Sequence, residues 1–99
     1  MTIEKTQENG KTIFALDGRL DTTSAPQLQT ELIPVFDEAK EIVIDFAKLV
    51  YVSSAGLRVL LQGEKTAKIK DASMILTNVS DEIMEVFEMT GFSNILTFA

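Results

Sequence analysis

Residues 2–7 (TIEKTQ) and 11–17 (KTIFALD) mix apolar and polar positions over strand-length stretches on either side of Glu8-Asn9-Gly10. Asn-Gly tolerates positive φ at both central turn positions, so the pattern predicts two antiparallel strands joined as a hairpin. Residues 41–46 (EIVIDF) form a nearly continuous apolar run, as expected of a central strand covered on at least one face. Two further strands are predicted at 73–78 (SMILTN) and 95–98 (ILTF).

Helical periodicity fills the intervals. In the first, Leu28, Leu32, Val35, Phe36 and Ala39 make a stripe at helical spacing. Ser24 with Gln27 three residues on is a capping-box pattern, and Pro26 falls in the tolerant first turn. Pro34 conflicts with a regular helix interior, because it removes the bond to Thr30 and costs about 3 kcal/mol there. A kink is predicted, or an early stop with a loose final turn. The second helix spans about 54–69 and is expected to bury Leu57, Leu60 and Leu61, with Lys65, Lys68 and Lys70 near its C-terminal end. The third starts at Ser80 with Asp81 and Glu82 in its first turn, buries Ile83, Val86 and Phe87, and stops at Gly91.

The predicted order is therefore β-β-α-β-α-β-α-β. Strands alternating with helices imply parallel pairs joined by right-handed crossovers, and the opening hairpin adds an antiparallel edge. The fold class is α/β, a single domain over residues 1–99 with a mixed sheet and three helices.

Composition narrows the function. The chain has 99 residues, 45% apolar, which suits one core, and neither cysteine nor histidine. Thiol chemistry, serine–histidine hydrolysis, histidine phosphotransfer and Cys/His metal sites are excluded with those residues. No cofactor is expected, and no nucleophile–base pair can be assembled, so an enzyme is the weakest reading. There is no membrane-length apolar run, and the N-terminus lacks the order of a secretory signal, so a cytoplasmic protein is expected. The formal charge of −6 opposes nucleic acid and anionic membranes and favours protein partners. The charge is uneven: Lys48–Lys70 is basic, whereas every charged residue from Asp71 onward is acidic.

The stretch with the most chemistry is Asp45–Arg58, DFAKLVYVSSAGLR, read as a strand, a short loop and the start of the second helix. It places two hydroxyls, Ser53 and Ser54, where unpaired N–H groups and the positive end of the dipole tolerate an anion. The bland alternative is that one serine simply caps the helix and Gly56 only permits close packing. Arg58 follows Ser54 by four residues and shares its helix face, either as a solvated side chain or as a partner for phosphate or carboxylate.

GRLDTTSAPQL (18–28), then EIVIDF, then YVSSAGLRVLL, resembles the STAS domain of anti-sigma-factor antagonists, and IMEVFEMTG (83–91) resembles that family's third helix and its glycine stop. The resemblance implies a partner switch. The unmodified antagonist binds an anti-sigma factor that is also a serine kinase, releasing the sigma factor. Phosphorylation from ATP at the start of the second helix abolishes binding, and a metal-dependent serine/threonine phosphatase resets the protein. Motif alignment implies Ser54 as acceptor. Many relatives carry aspartate where this chain has Ser53, so Ser53 stays open as the alternate. Partner contacts are expected at Asp21, Thr22, Thr23, Ser53, Ser54, Gly56 and Arg58, with Thr22, Thr23 and Ser24 read either as turn and cap residues or as a loop that rims the interface. Asp21 has a local reading beside this, accepting hydrogen bonds within its own turn. Tyr51 and Val52 are expected as core or rim. The family resemblance also implies a further helix after the last strand, where this sequence ends at Phe98-Ala99; either that helix is dispensable or its surface is covered by something else, such as a second copy. Two other functions remain: a STAS module regulating a kinase or phosphatase outside transcription, and a nucleotide or small-ligand sensor, the latter without a Gly-rich phosphate loop.

Overall fold

The computed structural model describes residues 1–99. Five strands form one sheet in the order β1-β2-β3-β4-β5. These are β1 (Thr2–Glu8), β2 (Lys11–Leu20), β3 (Glu41–Val52), β4 (Ser73–Thr77) and β5 (Thr97–Phe98). The helices α1 (Ala25–Val35), α2 (Ser54–Ile69) and α3 (Asp81–Thr90) alternate with them, and a short 3₁₀ turn at Phe92–Asn94 precedes β5. The mixed sheet and the element order agree with the expectation.

β1 and β2 pair antiparallel around Asn9 (φ 52°) and Gly10 (φ 78°), the double positive-φ turn that Asn-Gly favours. The remaining pairs are parallel. Strands β2 to β5 step across the sheet in one direction, and right-handed crossovers then put all three helices on one face. Burial agrees. Phe14, Leu16, Ile42, Ile44, Met74 and Leu76 are buried, while Ile13, Val43 and Ile75 on the other face are half-buried. Across the helix side, Phe87 of α3 meets Phe46 edge-on at 6.1 Å and Phe98 at 5.5 Å between ring centres.

Four local expectations change. β3 runs to Val52 rather than stopping at Phe46, and β2 runs to Leu20. Between Ala15↔Asp45 and Asp17↔Lys48, and again between Gly18↔Leu49 and Arg19↔Tyr51, β3 carries one more residue than β2. These bulges leave Phe46, Leu49 and Val52 buried at every third position, which erases the alternation that marks a strand. The expected loop before α2 shrinks to Ser53 alone. Second, Ser24 does not cap α1 through its side chain. Third, Leu61, Val86 and Ala39 are only half-buried; on α2 the buried face includes Val59 and Ala67 instead. Fourth, residues 95–96 lie outside β5: Ile95 closes the 3₁₀ turn and Leu96 is buried before the strand begins.

Pro34 acts as expected. α1 ends at Val35, and Phe36, Asp37 and Glu38 each donate a backbone bond to the carbonyl three residues back, the tighter geometry of a loose final turn. Ser80 accepts from the Ile83 N–H, and Gly91 at φ 82° stops α3.

Two glycines let α2 lie close to its neighbours, with different margins. A Cβ at Gly56 would stand 2.7 Å from Leu20 Cγ and 3.0 Å from its carbonyl oxygen, whereas one at Gly63 meets Met74 Sδ at 2.8 Å and Leu32 Cδ2 at 2.9 Å. Backbone cannot yield, but flexible side-chain ends can. Gly56→Ala is therefore expected to destabilise by about 1–3 kcal/mol from overpacking. At Gly63 the gain of about 1 kcal/mol in helix propensity offsets most of the clash. Chemical denaturation of the two variants checks this, and equal losses would refute the distinction.

Candidate functional site

β2 and β3 extend together beyond the last β3–β4 pair, Asp45↔Thr77, and carry the site on their C-terminal ends. The Ser53 N–H donates to the Leu20 carbonyl at 2.9 Å, which joins the end of β2 to the head of α2. Ser53 has extended backbone (φ −94°, ψ 174°), and its Oγ accepts from the Gly56 N–H at 3.4 Å while its carbonyl accepts from Leu57 at 2.9 Å. Ser53 is thus the cap, half-buried. Ser54 is the first helical residue and is exposed. The adjacent serines have separate environments.

The β2–α1 connection is built on Asp21. Its Oδ1 accepts from the N–H groups of Thr23 (3.0 Å) and Ser24 (3.1 Å), and the Ala25 N–H donates to its carbonyl at 2.8 Å. In return the Asp21 N–H donates to Ser24 Oγ at 2.9 Å. This is a capping box of the Asp-x-x-Ser kind, one turn upstream of the Ser24–Gln27 box expected from the sequence. The Ser24 hydroxyl donates to the Arg19 carbonyl at 2.6 Å, with Asp21 Oδ1 a longer 3.2 Å alternative for the same proton. Ser24 is buried because it closes this turn. Bonds to its charged form hold the Asp21 carboxyl below the ordinary carboxylate value, chiefly the Ser24 N–H, against a smaller opposing effect of desolvation. The Ser24 hydroxyl and the Thr23 N–H add to it, and Arg19, 3.8 Å away, contributes least.

Thr22 and Thr23 are exposed on this loop. Thr22 and Arg58 line one shallow groove of roughly 230 Å³ between α1 and α2, with Pro26 on its wall. Gln29 bridges the two helices there by donating from Nε2 to Gln62 Oε1 at 2.8 Å. Asp21, Thr22, Ser53, Ser54 and Arg58 thus share one end of the molecule. Gly56 is buried against Leu20 and contributes proximity rather than a contact surface. Val52 is buried, while Tyr51 and Val50 are exposed at the rim.

Sequence reasoning missed Arg19. Its guanidinium lies over the Tyr51 ring, 4.2 Å from the centroid, and the two are register partners across β2 and β3. The signal was cross-strand pairing near the strand ends, hidden by the bulges. No three acidic side chains converge as metal ligands do. No helix is long and apolar enough to cross a membrane.

The family model for the STAS domain matches residues 2–99. BtrV of Bordetella bronchiseptica is 35% identical over 92 residues, spanning 92% of this chain and 79% of that protein. The anti-sigma-B factor antagonist of Bacillus subtilis is 30% identical over 79 residues, covering 80% of this chain and 72% of its own. Among solved structures, the anti-sigma factor antagonist SpoIIAA superposes in its unphosphorylated form with a TM-score of 0.79 at 17% identity, over 99% of this chain and 87% of that one. Its phosphorylated form gives 0.77 at 19%, over 99% and 91%. At such identities the structural likeness speaks for the fold.

Two measurements test the geometry. Ser53→Ala is expected to lower stability by about 0.5–1 kcal/mol through loss of a long cap bond, while Ser54→Ala leaves it within about 0.5 kcal/mol. Denaturant midpoints decide, and the reverse order would mean that Ser54 is the cap. By carboxyl NMR, Asp21 should titrate with a midpoint below its ordinary 3.8. A depressed native value adds stability that is present above the unfolded pKa and is lost as pH falls through the native one. A midpoint at or above 3.8 would show that the turn's hydrogen bonds do not persist in solution.

Proposed function

The chain belongs to the STAS domain family, and from that premise we propose that it is an anti-sigma factor antagonist working as a phosphorylation-controlled partner switch. Relatives that carry that name are binding regulators, and the chain has no histidine or cysteine from which to build a nucleophile–base pair. The observation that carries the proposal is that Ser54, the first residue of α2 beside the Asp21 loop, is exposed.

In the proposed cycle the unphosphorylated protein binds an anti-sigma factor that is itself an ATP-dependent serine kinase. Ser54 Oγ then attacks the γ-phosphorus of ATP. An O–P bond forms, the bond to the β,γ-bridging oxygen breaks, ADP leaves, and the hydroxyl proton passes to a base on the kinase. A metal-dependent serine/threonine phosphatase restores the alcohol by transferring the phosphoryl group to water. Ser54 is favoured over Ser53 because Ser53 Oγ is engaged with the Gly56 N–H and half-buried.

Phosphate adds about −1.5 to −2 charges beside the N–H groups that open α2, a place that accepts an anion without loss of helix. A partner surface shaped for a neutral hydroxyl has no such provision. A penalty of about 3 kcal/mol at the interface lowers affinity more than a hundredfold.

Ser54→Ala protein used as bait in the source cells should recover an ATP-binding serine kinase. That kinase with ATP should then phosphorylate the unsubstituted chain at Ser54, mapped by mass spectrometry. Ser54→Asp should bind it at least tenfold more weakly than Ser54→Ala. Modification confined to residues other than 53 and 54 defeats the assignment.

A further inference from the structure

α2 presents an outward face that the packing of the domain does not use. Ser54, Arg58, Leu61, Lys65 and Lys68 follow one another at intervals of four, three, four and three residues, which keeps them on one side of a helix, and Ile69 flanks the end. Arg58, Lys65 and Lys68 are exposed, Leu61 is half-buried, and Ile69 is 82% exposed. Arg58, Leu61, Lys65 and Ile69 line a common shallow depression. The ridge runs about 22 Å from the Ser54 hydroxyl toward the opposite end of the molecule.

Its charge is unopposed. The only carboxylate on α2, Glu64, is turned inward and 7% exposed. Neither Arg58, Lys65 nor Lys68 makes an ion pair, whereas Lys70, just past the helix, is held by Asp37 at 2.9 Å. In a chain of net charge −6, three free cations interleaved with two aliphatic side chains form a patch of the opposite sign. Helix-dipole complementation accounts for Lys68 in the last turn but not for Arg58 in the second, or for an aliphatic residue left bare.

We propose that this α2 ridge is a docking surface for an acidic protein face with an apolar cleft, Leu61 and Ile69 entering the cleft and Arg58, Lys65 and Lys68 meeting carboxylates around it. For the identity of the partner this rests on the switch reading above; the chemistry of the surface does not. It also gives phosphorylation a second lever. A phosphate at Ser54 is one turn from Arg58, the spacing at which side chains of opposite charge pair on a helix, so it both repels the acidic partner and draws away the first cation of the ridge.

The test has two arms. In the first, labelled protein is titrated with a synthetic helical peptide of alternating glutamate and leucine faces, and in parallel with duplex DNA and anionic phospholipid vesicles. Amide shifts confined to 54–69, weakened at least tenfold by Lys65→Glu/Lys68→Glu and by raising salt to 0.5 M, support the ridge. No shifts there, or equal or tighter binding of DNA or vesicles, overturns it. In the second, the kinase recovered with Ser54→Ala is bound by Arg58→Ala, Ile69→Ser and the double charge reversal, each checked for an unchanged thermal melt. Losses of about tenfold or more support the proposal, and unchanged affinity overturns it whatever the peptide does. If no kinase binds the unsubstituted chain, the switch reading fails while the peptide arm still decides the surface.

Discussion

The contact between the end of β2 and the head of α2 fixes everything at the end of the molecule that carries the candidate site. Leu20 supplies both halves of it: its carbonyl accepts from the Ser53 N–H, and its side chain sits where any Cβ on residue 56 would intrude. A helix start is an intrinsically frayed place, with four N–H groups lacking helical partners. Here it is pinned by a strand that is itself held in the sheet. The capping serine, the exposed serine and the Asp21 turn consequently stand in a fixed relation, although they come from segments about thirty residues apart in sequence.

Most of the architecture was legible because periodicity, turns and caps agreed with one another. Asn9-Gly10, Pro34, Ser80 and Gly91 each did locally what their chemistry dictates. What escaped was β3 beyond Phe46. Its two bulges set Phe46, Leu49 and Val52 at intervals of three, and a sequence cannot distinguish that spacing from a loop or a helical fragment without knowing the partner strand. The Arg19–Tyr51 stack was invisible for the same reason, since it exists only through that register. The displaced capping box has another origin. Asp and Ser are both good caps, and Asp21-x-x-Ser24 overlaps Ser24-x-x-Gln27 in a single stretch, so local preference alone does not choose between them. Ser24 Oγ already accepts from the Asp21 N–H and donates to the Arg19 carbonyl, and those bonds settle it.

Charge is distributed so that the fold and the surface make different use of it. Asp81 and Glu82 sit in the first turn of α3, where carboxylates favour the helix, whereas the first turn of α2 has no acidic residue. The dipole of α2 is thus unsatisfied by any side-chain anion in that turn, and the next charged group along the same face is the cation Arg58. Within α2 itself, an incoming negative group at Ser54 meets only favourable electrostatics. The burden of its charge falls on whatever faces the helix from outside.

That asymmetry depends on the division of labour between two neighbouring hydroxyls. Were one serine both cap and acceptor, esterification would alter the oxygen that accepts from the Gly56 N–H, and each modification would remake a hydrogen bond of the helix it acts on. With the cap on Ser53 and the free hydroxyl on Ser54, the covalent change proposed at Ser54 would be added to a helix end whose hydrogen bonds are already made. In the proposed switch the domain presents two different surfaces on one unchanged backbone, and a partner discriminates between them without the domain refolding. On that proposal the energy of discrimination is supplied at the interface, where desolvation makes a misplaced charge expensive, rather than within a domain whose total stability, as for domains of this kind, is only about 5–15 kcal/mol.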